Sequence, residues 1–201
     1  MNKNRILNTI GLVFLIWGTA AIIDNILHID EGIAPILWIS YISLIILAIG
    51  LFKKNSGLIA SQIAIIGIPY LIWNSDFFYH LFTSKSLFGI TDYFFELNNL
   101  VAIEKIISFQ HIFNIPLSLW ALHLIGLKKN NFWIVSIVQI AFVFIITRTV
   151  TNYEENVNCV YRNCAGFTFG IPYIIEWFTA YILMISITSW FLVKIFKKRE
   201  K

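Results

Sequence analysis

Residues 33–54 read IAPILWISYISLIILAIGLFKK: twenty residues without a charge, closed by Lys53 and Lys54. Twenty helical residues rise about 30 Å, the thickness of a bilayer's hydrocarbon core. The stretch is therefore a membrane-span candidate. Five further apolar runs bounded by polar residues lie around it, at 6–23, 57–73, 106–127, 131–150 and 168–195. Open strands would leave backbone groups unpaired in lipid, and the runs lack the alternation of an outer-membrane barrel. The expected fold class is all-α, one polytopic transmembrane bundle of six helices occupying residues 1–201.

Composition agrees with that reading. The chain is 58% hydrophobic and only 13% charged, whereas about a quarter of the residues of a soluble domain carry charge. A disordered chain and a cysteine-rich scaffold are excluded on the same figures. The net charge of +4 comes from lysines at the ends of apolar runs, which is no nucleic-acid surface.

Cations near span ends are retained on the cytoplasmic side. Eleven of the fifteen, including Lys3, Arg5, Lys53, Lys54, Lys128, Lys129 and Lys194, fall at the two ends of the chain and in the second and fourth connections. Both termini are expected in the cytoplasm, in what reads as the cytoplasmic membrane of a prokaryote. A cleaved secretory signal is the competing reading of the first run, with Gly18-Thr19-Ala20 as its small-residue site. The orientation of the other spans is the same under both.

Cys159 and Cys164 are the only cysteines, and both lie in the fifth connection, 152–167, on the oxidising side. A local disulfide closing this loop as a cap is expected. The third connection, 76–99, is long and aromatic, with Phe77, Phe78, Tyr79, Phe82, Phe94 and Phe95. It should lie at the membrane interface or fold back over the bundle, broken at Gly89 and followed by a short helix capped by Thr91 or Asp92.

Polar groups inside hydrocarbon persist only where they pair or line a wet cavity, so they are the functional candidates. Glu176 is expected about eight residues inside the sixth span. Gln110, His111 and Asn114 lie in the outer half of the fourth, Arg148 closes the fifth, and Asn74 and Asp76 close the third. Glu176 and His111 would serve as an acid/base pair, Gln110 and Asn114 as donors, Arg148 as an anion contact, with Asn74 and Asp76 also on the ligand. A buried salt bridge from Glu176 to Arg148 or Lys105 is the plain structural alternative. Asp24 with His28, and Asp76 with His80, repeat a four-residue spacing that suits a divalent metal. Pro69, Pro116 and Pro172 should kink the spans near these residues. His123, Gln139, Ser118 and Ser136 are expected to bond helix to helix.

The segments from Pro69 to Phe77, His111 to Pro116 and Asn156 to Cys159 resemble those of small uncharacterised multipass membrane proteins of bacteria and archaea, across about residues 57–165. The resemblance implies the fold and a role for these segments, with no activity attached. The functional expectation is an integral membrane protein whose outward-facing polar pocket binds or modifies a lipid or small amphiphile by acid/base or metal-assisted chemistry. Its partners are then membrane lipids or a small-molecule ligand. A small transporter or channel passing a proton or solute along Glu176 is one alternative, and a non-catalytic membrane interaction protein is another.

Overall fold

A computed structural model describes residues 2–27, 34–96, 102–128, 130–166 and 169–196. Among these the secondary structure is helical, with no strand: α1 Lys3–Leu27, α2 Ile39–Phe52, α3 Ser56–Thr83, α4 Asp92–Glu96, α5 Ala102–Ser108, α6 Gln110–Ile125, α7 Phe132–Val150 and α8 Tyr173–Phe196, with short 3-10 turns at Ala34–Leu37 and Val157–Cys159. Four of these, α1, α3, α7 and α8, are long and apolar enough to cross a membrane. α2, at 14 residues, is an apolar helix of about 21 Å.

Packing places α3 at the centre. Its most apolar window is 67% buried, against 17% for α8, because α2, α6, α7 and α8 all pack on it. α1 lies against α2, where Gly11 and Gly18, seven residues apart, allow close approach; a Cβ on Gly18 would stand 3.0 Å from the Leu44 Cβ. The outward faces are apolar, as with Ile182, Leu183, Ile187 and Phe191 on α8 or Val138 and Phe142 on α7. Exposed apolar surface on this scale requires lipid or a partner to cover it.

Helix ends differ from the sequence expectations where side chains satisfy backbone groups. The second run is interrupted at Trp38, whose backbone is extended (ψ 125°). The interruption is stable because Asn158 takes both freed groups: Ile39 N–H donates to its Oδ1 at 2.8 Å, and its Nδ2 donates to the Leu37 carbonyl at 2.8 Å. α3 continues ten residues past Trp73, through the start of the expected third connection. Along this extension the side chains of Asn74, Ser75 and Thr83 donate to the carbonyls four residues back. The helix stops at Ser84, in the left-handed region with φ 56°, and Gly89 (φ 74°) lies in the loop before α4 starts at Asp92.

The fourth run divides at Phe109 into α5 and α6, and α6 continues through Pro116. α8 begins at Tyr173, because Gly170 has φ 74° and Pro172 precedes the first turn, its carbonyl accepting from Glu176 N–H at 3.2 Å. Pro172 therefore starts a helix and kinks none, and Glu176 lies in the first turn of α8, not eight residues inside it.

Polar contacts join the helices internally. The side-chain amides of Gln62 on α3 and Gln139 on α7 exchange two bonds, of 2.7 and 3.1 Å, and Ser136 donates to the Ser61 carbonyl at 3.0 Å. Ser118 bonds within its own helix to Asn114, and His123 faces outward, so neither ties helix to helix. A double-mutant cycle of Gln62→Leu and Gln139→Leu, read by unfolding in detergent, should give a coupling of about 0.5–1.5 kcal/mol. A coupling of zero would mean that the amide pair adds nothing beyond packing.

Candidate functional site

The loop end of the bundle holds two separate polar centres. The first is built on Tyr70 and Asn74, one turn apart on α3, which face Gln110, His111 and Asn114 on α6. The Tyr70 hydroxyl donates to Gln110 Oε1 at 3.3 Å, with Asn114 and Ser40 beside it. Asn74 Nδ2 bridges the helices by donating to the carbonyls of Tyr70 and His111, both at 2.7 Å.

The His111 ring lies between Tyr70 and Trp73, each 4.5 Å away centroid to centroid. Its Nδ1 is 2.8 Å from the Ser108 carbonyl. A carbonyl only accepts, so Nδ1 carries a proton, and in the neutral ring Nε2 is the acceptor. Tyr93 of α4 sits above, accepting from Trp73 Nε1 and donating to Ser108 Oγ, both at 3.3 Å. The third connection thus folds back over this centre, with Phe94 and Phe95 packed on Phe77.

Gln110 is 1% and Asn114 0% exposed. Among the described residues, Gln110 Nε2, Asn114 Nδ2 and Asn74 Oδ1 are buried and have no hydrogen-bond partner. Buried polar atoms are nearly always paired, and an unpaired one costs about 1–3 kcal/mol. Three around one tyrosine are therefore the chemical signature of the site: two donors and one acceptor in a surround of aromatic rings.

The second centre is the disulfide loop. Cys159 and Cys164 are bonded, with Cα atoms 5.6 Å apart. Arg148 donates to the Val160 carbonyl at 2.7 Å and stands 4.9 Å over the Tyr161 ring. Trp177 and Tyr173 of α8 donate to the carbonyls of Asn158 and Cys159. Glu176, buried, accepts from Phe169 N–H at 3.2 Å. No ion pair joins Glu176 to Arg148, Lys105 or His111 among the described residues. α6 and α8 pack on α3 and not extensively on each other. The proposed acid/base partners therefore belong to different centres, and Arg148 acts as a strut of the loop.

Asp76 is likewise drawn into structure. Its Oδ1 accepts from Leu87 and Phe88 N–H, at 2.9 and 2.7 Å, and its Oδ2 from Thr91 N–H and Oγ1, at 2.7 and 2.8 Å. Four donors fill the acceptor positions of a carboxylate, leaving none for a metal. His80 stacks on Phe95 at 4.0 Å with Nδ1 3.6 Å from Asp92. Asp24 is buried near Tyr41, and His28 lies outside the described residues. Among the described residues no three His, Cys, Asp or Glu side chains are grouped to hold a metal ion.

Tyr70, Trp73, Tyr93 and Asn158 are the members of these centres that sequence reasoning missed. Aromatic residues in an apolar run read as core or interface. The available signal was Tyr70 four residues before Asn74, which puts both on one helical face. No protein-family model, curated protein or solved structure matches the chain.

Proposed function

We propose that this chain is an integral membrane protein of six spans, α2 with its preceding turn and α5 with α6 forming the two interrupted ones, that binds the polar part of a lipid or small amphiphile at the Tyr70 centre. Both ends of the chain then lie in the cytoplasm of a prokaryotic cell, and the disulfide loop on the oxidising side, as the cation distribution and the cysteine pair favour. The observation that carries the reading is the set of orphaned amide atoms of Asn74, Gln110 and Asn114, buried beside His111 and Tyr70. Binding is favoured over acid/base catalysis because Glu176 belongs to the other centre.

A binding site and a structural tie respond oppositely to removal of the amides. Gln110→Leu and Asn114→Leu delete donors that are unpaired in the protein alone. The delipidated variants should therefore be as stable as the parent or more stable, by up to about 1–2 kcal/mol each. Lipid retained through purification, measured by native mass spectrometry, should fall at least about tenfold. Both variants losing stability while keeping their lipid would overturn the proposal in favour of helix tethering.

A further inference from the structure

The orphaned groups define the chemistry of what they would hold. Asn74 is oriented by two carbonyls that accept from its Nδ2, so its Oδ1 is the atom that needs a donor. Gln110 Nε2 and Asn114 Nδ2 need acceptors. One acceptor and two donors are the complement of a single hydroxyl, which offers one O–H and two lone pairs. A carbonyl would leave Asn74 orphaned, and an ammonium would leave both amides so.

Charge also selects. Three described cations of the loop end have partners of their own: Arg148 the Val160 carbonyl and Tyr161 ring, Arg162 the Tyr153 ring, and Lys105 the Phe94 ring. A phosphate monoester here would be buried without a counter-ion, which is costly. A quaternary ammonium would need a free aromatic face. Trp73 is only 5% exposed, with His111 stacked on it at 4.5 Å and Phe77 at 5.1 Å.

We infer that the ligand of the Tyr70 centre is the hydroxyl of an uncharged lipid alcohol, held by Gln110, Asn114 and Asn74. This rests on the binding reading above. The apolar remainder of such a molecule needs no dedicated pocket, because the outward faces of α3 and α6 beside the site, at Leu71 and Phe113, are already exposed to lipid on that reading.

The test uses the full chain in phosphatidylcholine nanodiscs carrying a tritiated diacylglycerol, its O-methyl ether, or phosphatidic acid, with binding read by competition. Diacylglycerol should compete at least about tenfold better than the methyl ether, which keeps the shape and loses the donor. It should also compete better than phosphatidic acid. This comparison uses the unaltered protein and so does not depend on any variant folding. Gln110→Leu and Asn114→Leu should then abolish the preference. If the ether or phosphatidic acid binds as well as the alcohol, and that binding is lost in the two variants, the hydroxyl assignment is overturned while the site stands. If no probe's binding responds to either variant, the site itself is wrong and this inference falls with it.

Discussion

Asp76→Ala should lower the unfolding free energy by about 3–5 kcal/mol, among the largest effects of any single substitution in this chain. Asp76 is 0% exposed, and its carboxylate holds Leu87, Phe88 and Thr91 by four bonds. Bonds to a charged acceptor contribute about 1.5–3 kcal/mol each, with much non-additivity where they share one group. Alanine removes the acceptor and leaves three backbone N–H groups stranded. Asp76→Asn should cost roughly half as much, because Oδ1 can keep Leu87 and Phe88 while the amide NH2 faces two donors from Thr91. Unfolding in detergent micelles gives the size of the loss. Amide hydrogen exchange should place its onset at 84–96, where α4 would detach from the aromatic face of α3. Unchanged protection of that segment in Asp76→Ala would remove its role as the staple of the third connection.

The second large effect is expected at Asn158. Its side chain joins three elements, through Ile39 N–H and the Leu37 carbonyl ahead of α2, and through the Thr147 hydroxyl of α7 at 3.1 Å. Its backbone is left-handed, with φ 54°. Asparagine tolerates that region and alanine does not, at a cost of about 1–2 kcal/mol. Asn158→Ala should therefore cost about 3–5 kcal/mol from bonds and backbone together. Asn158→Gly restores the backbone freedom without the bonds, so it should recover about 1 kcal/mol of the loss. If glycine and alanine are equally damaging, backbone strain contributes nothing; if both are tolerated, the loop does not hold the start of α2.

These two sites show why polar residues grouped by spacing and depth along the sequence need not share one centre in the fold. Asp76 and His80 have a spacing that suits a metal, but spacing along one helix says nothing about an eleven-residue return of the chain that brings Leu87 onto Asp76. Arg148 and Glu176 share an expected depth with His111, and depth along a helix does not determine rotation about it. Asn158 looked like one polar residue among several in a loop. Its importance depends on Ile39, 119 positions away. Tyr70 was hidden for a different reason: an aromatic ring with a polar tip counts as apolar in a hydropathy window.

The chain's own composition and local order determined that it would be helical, where most apolar runs lie, that Cys159 would pair with Cys164, and that amides would gather at the loop end. Those outcomes follow from solvation, backbone hydrogen bonding and short-range chain closure, which act over one helix turn or one loop. The tertiary structure alone decided that α3 would be central and that the polar groups would divide into a Tyr70 centre and a disulfide-loop centre. Several arrangements of the same helices would bury comparable apolar area, so hydropathy does not separate them. Specific long-range bonds, such as Asn74 to His111 and Asn158 to Ile39, do.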